Sequence, residues 1–504
     1  MQLRSIFNYG STAAAPLQGL VQQPDFLKIS LYDMLDQSFS THNFEFLFNL
    51  ENRKGNIDIK SMSQPYQDVL AEIKDKNEQL RELRKKKKAD RTSVECEEIE
   101  MLESELKQLR IKKSEALVED MSSIAEEVNR RHFSLTIDKH NYGGKEEFTL
   151  KESRASFYAM KQLMYNMKRT FKIEMPGRHQ IMASIKHLLN MKMPIFIIRT
   201  DINSFYESIP QEHLLQKVYD NSLLSLKSKS FIKQVFQAYE SIKDFSLTPA
   251  GVGIPRGIGI SAMLSEVYMQ DIDQKIKSRT EVIYYARYVD DIFIIFTSLV
   301  GHKSLNDYYK NLQKEFKSIG LELKSIGDSK CKLITYRPDA FNGIQFDYLG
   351  YKLKLSKPSN ELKTVYSLSD KKIDRLNDKI HNAFKHFETL SKKDIKTARR
   401  DLLDSLDYIT GNTRLSNSKK YAKTGLYYNN VLLDDLSELD HFTQLLHQHP
   451  ISPNHGSFSN SAERRKFIIA LQKRIAKIDC KQRWEERKMF KFSMARISEI
   501  SSWL

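Results

Sequence analysis

The chain is 504 residues long, enough for two to four domains with cores of their own. Its 80 Lys and Arg outnumber 64 Asp and Glu, and the net charge of +16 favours a polyanionic partner such as nucleic acid. No apolar run approaches the roughly 18 residues that span a bilayer, and three scattered cysteines (Cys96, Cys331, Cys480) form no pair motif, which argues against a zinc site or a disulfide framework.

Residues 1–65 read as an N-terminal extension of mixed polar and aromatic character, with a helix expected around Leu31 to Phe48. No apolar segment of signal-peptide length precedes Ala13-Ala14-Ala15, so the expected location is the cytoplasm. Residues 66–117 are dense in charge, with sparse periodic apolar positions. Ile73, Leu80 and Leu83 form one stripe; Ile99, Leu102, Leu106 and Leu109 form another. Between them Thr92-Ser93-Val94-Glu95 reads as a capping box, so the segment is expected to be an antiparallel helical hairpin. Such a hairpin serves as a solvated spacer, or as an oligomerisation or RNA-contact element. From about Met121 to Asn190, cations including Lys161, Lys168, Lys172, Arg178 and Lys186 alternate with Tyr165, Phe171 and His179. That is the composition of a surface that tracks a phosphate backbone and stacks bases.

Two stretches then carry the chemistry. Pro194 to Tyr206 reads as a buried strand that ends in Asp201. Tyr284 to Phe296 places Tyr288-Val289-Asp290-Asp291 at the turn of a β-hairpin. Successive strand residues point to opposite faces, so the two aspartates meet at one point only if the turn redirects one of them. Adjacent carboxylates repel in an apolar hairpin, and a hard divalent cation such as Mg²⁺ would offset that repulsion. If the two strands are neighbours, Asp201 and Asp290 can hold two metals for an in-line displacement at phosphorus. Here the chain resembles a reverse transcriptase, with Asp201 in the first acid motif and Tyr288-Val289-Asp290-Asp291 in the third.

The remaining motifs of that family follow in order. Gly253-Ile254-Pro255-Arg256-Gly257 resembles the glycine-rich second motif, where the backbone approaches the nucleotide and template base. A helix is expected from Ala262 to about Lys277, capped by Ser261. Gly320-Leu321-Glu322-Leu323 with Lys330 and Lys332 resembles the fourth motif. Phe346 to Tyr351 resembles the fifth, the hairpin that grips the primer end. The resemblance implies Asp201, Asp290 and Asp291 as catalytic residues. The metal ligands would be these three with the carbonyl of Ile202, holding two Mg²⁺ ions, with Mn²⁺ as a substitute. It implies nucleotide contacts at Tyr206, Lys172, Arg178, Pro255, Arg256, Gly257 and Lys332, and a primer grip at Tyr348, Leu349 and Gly350. Tyr206 would exclude a 2′-hydroxyl, and Lys332 or Lys330 would protonate the leaving pyrophosphate.

After Tyr351 helices are expected, the first capped by Ser369 with Ile373, Leu376, Ile380, Phe384 and Phe387 on one face. The last stretch, Ser459 to Leu504, is strongly basic. The fold class expected is therefore α+β. It is a right-hand polymerase (fingers, palm, thumb) with a helical N-terminal insertion and an all-helical C-terminal domain. The borders fall at 1–65, 66–117, 118–360 for fingers and palm, and 361–504 for the thumb and C-terminal domain. The Pro255-Arg256-Gly257 variant and the element Thr424-Gly425-Leu426-Tyr427-Tyr428-Asn429 look like the bacterial defence-associated, abortive-infection reverse transcriptases. That likeness implies DNA synthesis from dNTPs on a non-coding RNA template in antiphage defence, without a membrane and in a form compatible with a homo-oligomer. Three alternatives stay open: template-independent synthesis primed by a tyrosine of the protein, an RNA-binding scaffold that keeps polymerase motifs, and an RNA-dependent RNA polymerase, whose palm uses similar acids.

Overall fold

The structure, a computed structural model, describes residues 36–54, 56–86, 90–142, 145–190, 193–337, 343–356, 363–415 and 423–504. The chain divides into two units, Met1–Gln37 and Ser38–Leu504, and the elements below belong to the second. The first helix is α1 (Thr41–Lys54), with Phe44, Leu47 and Phe48 buried at helical spacing. It starts later than the span expected from Leu31, of which 31–35 lie outside the described residues. α2 (Gln64–Leu83) has Pro in its first turn, where the missing N–H costs nothing. α3 (Ser93–Asn129) opens on the capping box: Glu95 N–H donates to Thr92 Oγ1 at 3.3 Å and Thr92 N–H to Glu95 Oε2 at 2.9 Å. The two helices run antiparallel around a small core of their own, Leu80, Ile99, Leu102 and Leu106. Ion pairs Lys76–Glu105 and Arg84–Glu103 lie along the seam. α3 then continues past residue 117, and Leu117, Met121, Ile124 and Val128 enter the main core. The border expected at 117/118 thus falls inside one helix.

A two-stranded ribbon, β1 (Ile137–Tyr142) and β2 (Lys145–Leu150), leads into α4 (Arg154–Thr170) and α5 (Arg178–Leu189). Then come β3 (Ile195–Asp201), α6 (Phe205–Ser208), α7 (Gln211–Asp220), α8 (Leu226–Ile242) and α9 (Gly259–Lys277). The hairpin β4 (Val282–Tyr288) and β5 (Asp291–Phe296), α10 (Leu305–Ser318) and β6 (Lys332–Tyr336) complete the catalytic sheet. Its order is β4-β5-β3-β6, antiparallel throughout. Both faces are covered, which explains the near-continuous apolar runs of β3 and β5. Ile198, Ile292, Ile294 and Phe296 join one core with α4, α8 and α9. Ile197, Phe293 and Ile295 join the other with α5 and the C-terminal elements. α9 begins three residues earlier than expected, with Ile258 as its N-cap. Ser261 lies inside the first turn instead, and its buried hydroxyl donates to the Pro255 carbonyl at 2.5 Å.

The remainder departs from the all-helical expectation. β7 (Ile344–Tyr348), β8 (Tyr351–Ser356) and β9 (Lys363–Leu368) form a three-stranded sheet that crosses the expected 360/361 border. β9 buries Thr364, Tyr366, Ser367 and Leu368, and its β-branched and aromatic Thr364, Val365 and Tyr366 suit a strand. α11 (Asp370–Leu390) buries Ile380, Phe384 and Phe387 as expected, with Ile373 and Leu376 partly covered, although the Ser369 side chain makes no cap bond. α12 (Ile395–Thr410) is followed by a second ribbon, β10 (Asn412–Arg414) and β11 (Lys423–Gly425). α13 (Ser437–Gln448), α14 (Ser461–Ile475), α15 (Cys480–Glu485) and α16 (Met494–Trp503) close the chain. No helix among the described residues is long and apolar enough to cross a membrane.

Because the hairpin tip has a private core, replacing residues 76–106 with a short Gly/Ser turn should leave folding intact. Thermal unfolding is expected within about 3 °C of the parent, the scale of a change below ~1 kcal/mol in a chain of this size. A collapse of the transition would show that the tip is integral to the main core.

Candidate active site

β3 delivers Asp201 and β5 delivers Asp291 in direct register. Asp290 belongs to the turn, and the turn solves the facing problem. Val289 takes φ +60°, a left-handed conformation that costs a β-branched residue about 1–3 kcal/mol. Oxygens of Asp201, Asp290 and Asp291 then all lie within 4.8 Å of one another. The backbone holds this arrangement: Ile202 N–H donates to the Asp290 carbonyl at 3.1 Å, and Lys324 N–H to the Asp201 carbonyl at 3.0 Å. Ile202 is buried, and its N–H is thereby fixed on the hairpin turn.

Burial pushes the Asp291 carboxyl up to about 6, with Asp201 and Asp290 adding to the rise and Arg199 opposing it. Asp290 is raised by burial and by Asp201, against Lys330 and Arg256. Arg199 reaches Asp291 at 3.3 Å, and Lys330 forms an ion pair with Asp201. Burial lowers Lys330, but Asp201 more than offsets it and holds the ammonium above its usual range. The donor set is carboxylate oxygen alone, at one point, with cations drawn in from two sides. That chemistry fits a hard divalent cation.

The second-motif loop lies beside the acids. Phe148 N–H of β2 donates to the Arg256 carbonyl at 2.7 Å. Gly257, at φ +103°, has no room for a side chain, since a Cβ would sit 2.5 Å from the Phe148 carbonyl oxygen. Pro255 is buried, its carbonyl taken by Ser261. The Arg256 guanidinium lies 5.7 Å from the centre of the Tyr206 ring and 3.3 Å from Glu207. The Tyr206 hydroxyl bonds to Ser265, and burial raises its pKa.

The other expected contacts are placed differently. Lys332 pairs with Arg199 in the strand register and is exposed, so Lys330, rather than Lys332, stands at the acids. Lys172 is exposed at φ +50° just after α4. Arg178 donates to the Asn429 carbonyl and lies over the Tyr351 ring at 5.7 Å. Tyr348, Leu349 and Gly350 form the β7–β8 turn, with Leu349 at φ +45°. A Cβ on Gly350 would come 3.4 Å from Lys372 Nζ and 3.5 Å from Arg178 Nη1, so two cations flank that turn. Burial, together with Arg178 and Arg375, lowers Lys372 to about 8. Tyr427 and Tyr428 pack on each other, with Tyr427 also against Trp484.

Arg199, Arg287 and Lys372 were not among the expected site residues. Their signal was available for the first two: an arginine inside an otherwise apolar strand must be paired when both sheet faces are covered. Lys372 and its partner Asn429 are far apart in sequence, and only the tertiary fold joins them.

Residues 150–353 match the model of the reverse transcriptase (RNA-dependent DNA polymerase) family. The chain therefore carries a reverse transcriptase domain, and that domain is an RNA-directed DNA polymerase. A search of curated proteins finds no match. Among solved structures, the chain is similar to apo telomerase from Candida tropicalis at 14% identity, covering 54% of this chain and 57% of that one, with a TM-score of 0.33. It is also similar to telomerase from Candida albicans in complex with a TWJ fragment of telomeric RNA, at 11% identity over 70% of this chain and 67% of that one, with a TM-score of 0.31.

The raised carboxyl sets an expectation for the metal-free protein. Asp291 binds its proton more tightly folded than unfolded, so its contribution favours the fold below about pH 4 and is lost as pH rises through about 6. Asp291→Asn should therefore stabilise the metal-free chain at pH 7.5 by about 1–2 kcal/mol, and the gain should vanish near pH 4. Denaturant unfolding at both pH values checks this, and a destabilised variant at pH 7.5 contradicts it.

Proposed function

We propose that the chain is a right-hand DNA polymerase of the bacterial defence type, making DNA from dNTPs on a non-coding RNA template during antiphage defence. The observation that carries the reading is the cluster of three carboxylates within 4.8 Å at the ends of β3 and β5. In this reading residues 118–360 supply fingers and palm, 361–504 supply thumb and C-terminal domain, 66–117 form a helical hairpin inserted on or before the fingers, and 1–65 are an N-terminal extension.

Asp201, Asp290, Asp291 and the Ile202 carbonyl would hold two Mg²⁺ ions. When bound, the ions stabilise the charge that builds during in-line displacement at the α-phosphorus. The chain's own groups do the rest. Tyr206, held by Ser265, packs beneath the incoming sugar and leaves no space for a 2′-hydroxyl. Arg256, stacked on that ring and bridged to Glu207, faces the triphosphate. Lys330 leaves Asp201 and delivers its proton to the departing pyrophosphate. The Tyr348–Gly350 turn holds the primer end, with Arg178 and Lys372 against its phosphates and Lys172 on the template side.

The defence assignment draws support from Arg256 in place of glutamine and from the Thr424–Asn429 element. That element packs into the polymerase rather than apart from it. Its Tyr427 N–H donates to Asn412 Oδ1 at 2.9 Å, and its Asn429 carbonyl meets Arg178.

The test is synthesis by purified protein with Mg²⁺ and dNTPs, singly and together, before and after RNase treatment of co-purifying nucleic acid. Products should disappear with RNase and match the bound RNA. Asp290→Asn should lower synthesis by at least about a thousandfold, the scale of losing a principal charge-stabilising group. Tyr206→Val should raise ribonucleotide incorporation about tenfold or more. Products that survive RNase and stay attached to protein would replace templated with protein-primed synthesis. Phage protection undiminished in Asp290→Asn would leave only the scaffold.

A further inference from the structure

We infer that Arg287 is a positioning residue that clamps the catalytic turn, through a hydrogen-bonded bridge from the Val289 carbonyl to Glu266 and Asp273 on α9. Arg287 Nη1 donates to the Val289 carbonyl at 2.9 Å and to Glu266 Oε1 at 3.0 Å. Nη2 donates to Glu266 Oε2 and Asp273 Oδ2, each at 2.7 Å, and Nε reaches both Asp273 oxygens at 3.1 Å. Tyr285 O–H donates to Asp273 Oδ1 at 2.6 Å. The Arg287 side chain is only 3% exposed. Its five N–H groups therefore fasten one peptide, the peptide between Val289 and Asp290, to one helix.

That peptide is where the turn is strained. A valine at φ +60° relaxes unless its surroundings hold it, and relaxation would swing Asp290 away from Asp201. The helix that holds it is already tied to the nucleotide side. Glu266 is the neighbour of Ser265, which bonds Tyr206, and α9 starts directly after the Arg256 loop. Glu266 and Asp273 are two turns apart on one face, so the clamp fixes both the height and the rotation of α9 against β4. Beside the clamp lies a cavity of about 250 Å³ lined by Glu174, Gln180 and Tyr284 as well as the bridging groups, while Val289 itself packs against the main core, so the bridge and that packing hold the turn together.

A lysine at 287 keeps the charge against Asp273 but cannot span three acceptors at once. The kinetic part of the test rests on the polymerase reading; Mn²⁺ binding, read by electron paramagnetic resonance without substrate, does not. In Arg287→Lys, Mn²⁺ affinity and kcat should each fall about tenfold, as for loss of a group that orients a metal ligand, while KM for dNTP stays within about twofold. Glu266→Gln, which keeps the shape and one acceptor, should weaken Mn²⁺ about threefold in the same direction. Asp290→Asn provides the zero. Folded Arg287→Lys with parent-like Mn²⁺ affinity overturns the clamp, even where melting temperature and activity drop together, because that is the signature of a merely structural arginine. If Arg287→Lys does not fold, parent-like Mn²⁺ affinity in Glu266→Gln overturns it instead. A parent that binds Mn²⁺ at the triad but makes no DNA would sink the polymerase reading, and the Mn²⁺ comparison would still decide the clamp.

Discussion

Three carboxylates are held at one point between two sheet strands, and much of the surrounding structure answers their repulsion. Burial and neighbouring like charges both raise a carboxyl's pKa, and both act at Asp290 and Asp291, burial the more strongly. The chain opposes them with cations placed asymmetrically. Arg199 comes from within the sheet and is nearly buried, so it cannot leave. Lys330 comes from a loop and is half exposed, so it can. One partner is fixed and one exchangeable, which is the arrangement required where a stronger cation must displace a weaker one.

The sheet can bear that load because it is covered on both faces by different cores. The core built on α4, α8 and α9 connects the acids to the Arg256 loop and Tyr206. The core built on α5, β7–β9 and α11–α14 connects them to the Gly350 turn. The Arg256 loop with Tyr206 and the Gly350 turn are therefore registered against the same four strands. Precision at the acids is inherited from the strand register, and β3 is its centre, paired with β5 on one side and β6 on the other.

What could be read in the sequence was what repeats locally. The capping box at Thr92, the apolar stripes of α2 and α3, the acid-ended β3 and the Asp290 hairpin all announce themselves through spacing a few residues long. The Asp201–Asp291 register follows once the two strands are taken as neighbours. The start of α9 was misplaced because Ser261 is a favoured cap residue, whereas here a buried bond to Pro255 employs it otherwise. Of the strands within the C-terminal region, β10 and β11 are three residues each, too short for periodicity to register. Lys330 over Lys332 was a question of loop geometry, since two positions along a strand end decide which lysine reaches the acids.

The C-terminal element illustrates the kind of knowledge that spacing cannot carry. Asn429 and Asn430 are small polar residues in a loop, ordinary by composition. In the fold their oxygen atoms receive Arg178 and Lys372, which flank Gly350 and share the face of Tyr351. Both partners are neutral oxygens, and burial makes Lys372 costly to keep protonated. The buried Asn430 amide takes Lys372 on Oδ1 and donates Nδ2 to the Leu426 carbonyl at 2.7 Å, a donor and an acceptor that a carboxylate could not supply together. Arg178 and Lys372 thus stand beside the Gly350 turn on neutral oxygen partners, a backbone carbonyl for the one and a side-chain amide for the other.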